Sequence, residues 1–283
     1  MVHTLTPKVT PDRLAQAGSR LPGCVAYPLS PTSAWIECEQ FALEVVLHEN
    51  ATLLEFRTTW PGPARKRDEI AAALSGSMWR GTIVSDEAGG RVVHLSFVTD
   101  VQAGLSDEQL IGWLVFVHND VCVVFHDLNT HFSILSPALT PLVCAIDATL
   151  PAVTPRRCEE LLSRGSLPVE VSDEAYQQHR EAEGLGLITV RFTGETLRLS
   201  YWDESGYYQK KFLPPEVHAI VVQLNQEPHI GAIEINGYRE LFIHTVVYCG
   251  AGATDEQLIY WCDHTLVLMH ELALRLHRKP EKR

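Results

Sequence analysis

Basic residues are scarce in this chain: 23 Lys and Arg stand against 35 Asp and Glu, a formal charge of −12. A surface that neutralises nucleic-acid phosphates needs clustered cations. Only Arg65-Lys66-Arg67 and the tail from Arg275 to Arg283 are locally basic, so no nucleic-acid partner is expected. Long apolar runs are missing too. Leu110 to Phe125 comes nearest to a membrane span but contains His118, Asn119 and Asp120, and no membrane partner is expected. The N-terminus carries Lys8, Asp12 and Arg13 and no apolar stretch of signal length, which reads as a cytoplasmic protein. The seven cysteines, Cys24, Cys38, Cys122, Cys144, Cys158, Cys249 and Cys262, are odd in number and include no Cys-x-x-Cys. They fit reduced, mostly buried thiols.

Catalytic signatures are absent as well. There is no Gly-x-Ser-x-Gly, no Walker loop and no Gly-x-Gly-x-x-Gly, and Gly184-Leu185-Gly186 precedes a strand instead of following one. Thirteen histidines invite a metal hypothesis. The nearest sets are Asp263 with His270 and His277, and His126 with Asp127 and His131; neither has a zinc-like three-ligand pattern, and His270-Glu271 is not extended to His-Glu-x-x-His. The expectation is a chain without catalytic, cofactor-binding or metal-binding residues. The alternative is an enzyme or metal-dependent ligand binder that uses the dispersed histidines.

What the chain does have is repetition. Asp107-Glu108-Gln109-Leu110-Ile111 recurs as Asp255-Glu256-Gln257-Leu258-Ile259, a spacing of 255 − 107 = 148, each copy with a Gly upstream (Gly104, Gly252) and a Trp downstream (Trp113, Trp261). Arg91 and Arg239 keep the same spacing, Thr10-Pro11 matches Thr154-Pro155 at 154 − 10 = 144, and Gly81-Thr82-Ile83 matches Gly231-Ala232-Ile233 at 231 − 81 = 150. Loops absorb that drift at little entropic cost. Each repeat exceeds a hundred residues, enough for its own core.

The shared pentapeptide has a physical reading. Ser106 and Thr254 are N-caps with Gln109 and Gln257 at the third helical position, so both copies are capping boxes. Asp107, Glu108, Asp255 and Glu256 place negative charge on the positive end of a helix dipole, each worth a few tenths to about 1 kcal/mol. Leu110, Leu114, Val117, Val121, Val124 and Leu128 form one apolar stripe, and Leu258, Trp261, Thr265, Leu268, Leu272 and Leu276 the other.

In the second copy, Thr154-Pro155 opens a helix through Leu162, and Ser172 to Glu183 is a helical or irregular piece. Three strands then form a meander: Leu187 to Phe192, the alternating Thr196 to Tyr201, and Tyr207 to Phe212. A helix from Pro214 to Leu224 leads to a hairpin of Ile230 to Ile235 and Glu240 to Cys249 around Asn236-Gly237. In the first copy the matching hairpin pairs Thr82-Ile83-Val84 with Val92 to Val98.

The order is helix, three-stranded meander, helix, two-stranded hairpin, long helix. With the Gly-x-Ser/Thr-Asp-Glu-Gln-Leu start of the last helix, it resembles the YbjN family of bacterial sensory transduction regulators. The resemblance implies a fold like that of type III secretion chaperones and carries over no enzymatic residue. Gly23 to Gln40 has only a loose counterpart in the family pattern. The expected fold is therefore α+β: two tandem α-βββ-α-ββ-α secretion-chaperone-like repeats, residues 10–134 and 154–278, joined by a linker, 135–153, and packed as an internal pseudo-dimer.

Function is expected to be protein binding, chaperone-like or regulatory, with a polypeptide partner. The protein would act as a monomer with an internal pseudo-two-fold or as a homodimer. The candidate contact residues are the aromatics Tyr201, Trp202, Tyr207 and Tyr208 of the second meander and Trp60 in the comparable part of the first. On alternating strands some of these rings must point away from a core, and exposed aromatics mark partner surfaces.

Overall fold

The computed structural model describes residues 6–48, 52–64, 69–70, 73–74, 77–85, 90–136, 138–162, 170–172, 175–178, 187–202, 221, 224, 231–235 and 241–277. It is a mixed structure of helices and antiparallel sheets, and the chain divides into two compact units, Met1–Thr149 and Leu150–Arg283.

The first unit begins with α1 (Pro11–Gly18), where Thr10 accepts a hydrogen bond from the Arg13 amide and Pro11 supplies a preset φ at the first turn. Six strands follow: β1 (Val25–Ser30), β2 (Ser33–Glu37), β3 (Ala42–His48), β4 (Leu53–Trp60), β5 (Arg80–Ser85) and β6 (Arg91–Asp100). They form one antiparallel sheet in the order β1-β2-β3-β4-β6-β5. The long helix α2 (Asp107–His131) closes the unit.

Helices lie on one face of that sheet. A Cβ on Gly18 of α1 would run into Ala26 and Ile36, and one on Gly81 would meet Ile70 and Leu74 from the helical stretch before β5. Trp113 of α2 stacks on Phe56 at 6.0 Å and packs against Phe97 at 5.8 Å. The expected stripe of α2, Leu110 to Leu128, is buried throughout. By length and composition α2 could cross a membrane; its apolar face lies against this core.

The second unit has α3 (Pro155–Leu162), β7 (Glu170–Ser172), β8 (Ala175–Gln178), β9 (Leu187–Thr193), β10 (Thr196–Trp202), β11 (Ala232–Ile235), β12 (Leu241–Tyr248) and α4 (Asp255–His277). Its strand order, β7-β8-β9-β10-β12-β11, is that of the first unit. On α4 the buried positions include Leu258, Trp261, Thr265 and Leu272, while Met269 is buried and Leu268 only partly so.

One sequence-based expectation about the meander is corrected, that for the piece ahead of β9. The expected third strand, Tyr207 to Phe212, lies outside the described residues; β10 pairs with β9 and β12 from Thr196 to Trp202. Among the described residues the meander has four strands, β7 to β10, and starts upstream, with β7 and β8 where a helical or irregular piece was expected. Likewise Gly23 to Gln40 holds the β1–β2 hairpin. A second correction concerns the Gly81/Gly231 match. Gly81 pairs with Leu95, and the position 148 residues beyond Leu95 is Ile243, which pairs with Ile233, so the strand register matches Gly81 with Ile233.

The chain after α2 returns along it. The amide of Leu142 donates to Asn119 Oδ1 at 2.7 Å, Asn119 Nδ2 donates to the Leu142 carbonyl at 3.1 Å, and the Thr140 amide donates to Gln40 Oε1 at 2.9 Å. Residues 140–142 are thus fastened to the first unit, whereas Pro151 and Ala152 are held by the second.

Candidate functional site

Each unit is locked by the same arginine. Arg13 donates from Nη1 to the carbonyls of Pro7 (3.1 Å) and Lys8 (2.7 Å), from Nη2 to the carbonyl of Leu105 (2.8 Å), and from Nε and Nη2 to Asp107 Oδ1 at 3.1 and 2.6 Å. Arg157 repeats the set on Pro151 (2.9 Å), Ala152 (3.0 Å), Ala253 (2.8 Å) and Asp255 (3.1 and 2.6 Å). The planar guanidinium suits such divergent carbonyl acceptors. Beside each lock stands a left-handed glycine, Gly104 (φ 73°) or Gly252 (φ 80°). A Cβ there would fall 2.4 Å from the Thr6 or Leu150 carbonyl oxygen. Both capping boxes are present: Ser106 with Gln109 (2.8 and 3.1 Å) and Thr254 with Gln257 (3.0 and 3.1 Å). The motif that repeats in the sequence therefore closes the fold.

Of the expected contact residues, Trp60 and Tyr201 are corrected to core. Trp60 is 0% exposed; its Nε1 donates to Asn129 Oδ1 of α2 at 2.9 Å and its ring lies 5.4 Å from Phe132. It shares the helix-facing side of β4 with Phe56. Tyr201 is 2% exposed and alternates in phase with the buried Leu197 and Leu199. Trp202 ends β10, paired with Leu187 and Phe242. Tyr207 and Tyr208 lie outside the described residues.

The surface that is apolar and open lies elsewhere, on β1. Val25, Tyr27 and Leu29 are 64%, 44% and 51% exposed. Val25 and Tyr27 flank Ala26, which faces α1, so both point to the sheet face away from the helices; Leu29 stands at a register shift between Pro28 and Ser30. β1 is an edge strand, and Pro28 within it removes one backbone donor, as edge strands allow. From Tyr27 a single row crosses the sheet by direct pairing: Trp35, Glu44, Arg57, Ser96, Arg80.

Two members of that row, Glu44 and Arg57, belong to a charge network. Arg57 donates to Glu55 Oε2 from Nε (2.9 Å) and lies 2.6 Å from it at Nη2, Glu44 lies 3.6 Å from Arg57 Nη1, and His48 Nε2 lies 2.7 Å from Glu55 Oε2. Burial alone would push the Glu55 carboxyl up; the bonds and charge of Arg57 and the bond to His48 outweigh it and hold the group below its ordinary value. Burial pushes the Arg80 guanidinium down to about 10, with the Glu55 charge acting against it. Burial also pushes His94 down, assisted by the charge of Arg57. Glu55 is thus a fixed anion, a poor general base. The network fixes charge on the inner strands β3 and β4.

The histidines of the alternative reading are scattered. His126 and His131 are exposed, and His118 is buried against Phe41 at 4.6 Å. Among the described residues no group of three or more His, Cys, Asp or Glu is placed to hold a metal ion. The open edge had a signal that sequence reasoning missed. Val25-Ala26-Tyr27-Pro28-Leu29 is a short apolar run whose proline marks an edge strand. The Arg13 and Arg157 locks were legible only as arginines three residues after matched Thr caps.

No family model matches the chain, and no curated protein matches it. Among solved structures, the crystal structure of YbjN, "a putative transcription regulator from E. coli", matches with 10% sequence identity and a TM-score of 0.34, over 45% of this chain and 92% of that one.

Proposed function

We propose that this is a non-enzymatic polypeptide-binding protein whose first unit takes up an extended segment of its partner along β1. The observation that carries the reading is the edge strand with Val25, Tyr27 and Leu29 exposed at alternate positions. Edge strands bearing such side chains invite pairing with another chain and are normally blunted by charge. Retained, they form the template for strand addition, in which main-chain bonds give affinity and alternate side chains give specificity. In the second unit, Trp202, Tyr207 and Tyr208 stay proposed contact residues. We also infer that the two units descend from one duplicated unit, supported by the shared strand order and the matching Arg13 and Arg157 locks.

The test begins with peptides selected from a random library on the purified chain, whose affinity is then measured on Tyr27→Asp and Leu29→Asp variants. A buried aromatic anchor typically contributes 2 kcal/mol or more, a loss of about thirtyfold on truncation. Both variants should keep the parent circular dichroism and lose that factor. Unchanged affinity in folded variants would sink the reading. So would a parent that sediments as a dimer and a Tyr27→Asp variant that sediments as a monomer, since β1 would then be covered by a second copy.

A further inference from the structure

The β1–β2 ladder ends with Val25 opposite Glu37. One step further, in the same register, stand Cys24 and Cys38, with their Sγ atoms 2.7 Å apart. Directly opposed residues of an antiparallel pair have Cα atoms about 4.5 or 5.5 Å apart, and both values lie in the range that a disulfide spans without backbone movement. Both cysteines are free thiols here. Backbone bonds hold the two sides in place: the Cys24 amide donates to the Leu21 carbonyl at 3.3 Å, and the Cys38 amide donates to the Phe41 carbonyl at 3.0 Å. No other cysteine pair has a sulfur–sulfur contact among the described residues.

We propose that Cys24 and Cys38 are a redox site that takes up a reversible disulfide from a small-molecule disulfide, closing the base of the β1–β2 hairpin. Their environments differ in a way that orders the reaction. Cys24 is half-buried and open to a reagent, while Cys38 is 8% exposed. Burial and the neighbouring Cys24 push the Cys38 thiol well above the ordinary range, which keeps it protonated until a bond to Cys24 is to form.

The Cys24 thiolate attacks one sulfur of oxidised glutathione; a mixed disulfide forms and one glutathione thiolate leaves. That thiolate takes the Cys38 proton. Cys38 then attacks the Cys24 sulfur, the Cys24–Cys38 bond forms, and the second glutathione leaves as a thiolate that takes up the proton Cys24 released. Two protein thiols are oxidised and one disulfide is reduced to two thiols. The product fastens the open edge strand to its neighbour. This inference does not rest on the peptide-binding reading, since the pair can close whatever β1 binds.

The experiment uses the full chain, treated with oxidised glutathione, alkylated without reduction and mapped by mass spectrometry. The expected result is a cross-linked peptide joining Cys24 to Cys38 and the loss of two of the seven thiols, restored by dithiothreitol. In Cys38→Ser, glutathione should stay trapped on Cys24; in Cys24→Ser, Cys38 should remain a free thiol. If both cysteines of the parent are still fully alkylated after oxidant, the proposal is overturned. A glutathione adduct on Cys38 in Cys24→Ser, with none on Cys24 in Cys38→Ser, overturns the order of attack. Because the decisive measurement is on the parent, a variant that fails to fold does not spare the proposal.

Discussion

Removing Arg13 should cost the first unit far more than removing the carboxylate it pairs with. In Arg13→Ala, three carbonyl acceptors, of Pro7, Lys8 and Leu105, lose a charged donor together with the bonds to Asp107. A hydrogen bond to a charged group contributes about 1.5–3 kcal/mol. Three cannot simply be summed, because freed carbonyls near the surface regain water, and about 2–4 kcal/mol is expected. Asp107 is another case. Its side chain is 64% exposed against 17% for Arg13, so the ion pair is screened to about 0.2–1 kcal/mol and the helix-dipole contribution is of similar size. Asp107→Ala should therefore cost about 1 kcal/mol. In a domain of this size the arginine change corresponds to a fall in melting temperature of roughly 4–16 °C, taking about 2–4 °C per kcal/mol. Arg13→Lys should recover less than half, since an ammonium on a flexible stem cannot reach acceptors on divergent sides. Urea titration followed by tryptophan fluorescence measures each variant. An Asp107→Ala as costly as Arg13→Ala, or an Arg13→Lys as stable as the parent, would refute the reasoning that carbonyl clamping, and not charge pairing, holds the strap.

Gly104→Ala should destabilise by about 2 kcal/mol or more, combining positive-φ strain with a Cβ 2.4 Å from the Thr6 carbonyl oxygen; a melting curve that matches the parent would contradict it. Gln109→Ala and Gln257→Ala should each cost about 0.5–2 kcal/mol through loss of one arm of the capping box, with peptide affinity unchanged. Stability should decline as pH falls through the ordinary histidine value of about 6.5, partly because burial holds the His118 imidazole neutral, against the opposing bond to Asn119. Its folded pKa lies below the unfolded one, so its stabilisation is present above about 6.5 and is lost on acidification. Denaturant midpoints at pH 7.5 and 5.5 should accordingly differ less in a folded His118→Asn variant than in the parent.

Local signals made a good part of this protein legible from sequence alone. The capping boxes, the two long helices and the β11–β12 hairpin are written in contiguous residues, where hydrogen bonds between near neighbours decide the outcome. The α+β class and the repeated order of elements follow from them. What the sequence left open depended on partners far along the chain. Strands β7 and β8 have three and four residues, too few for alternation to show, and they form because β9 offers a paired edge. Alternation in β10 already puts Tyr201 on the core face with Leu197 and Leu199, whereas in β4 only the placement of α2 decides which face is covered, and so Trp60 became core. On β1 the same rule leaves Val25 and Tyr27 in water, because α1 covers the face of Ala26. Arg13 meets a carboxylate 94 residues away and Cys24 meets a thiol 14 residues away. Both meetings are set by strand register and helix docking, which only the assembled fold supplies.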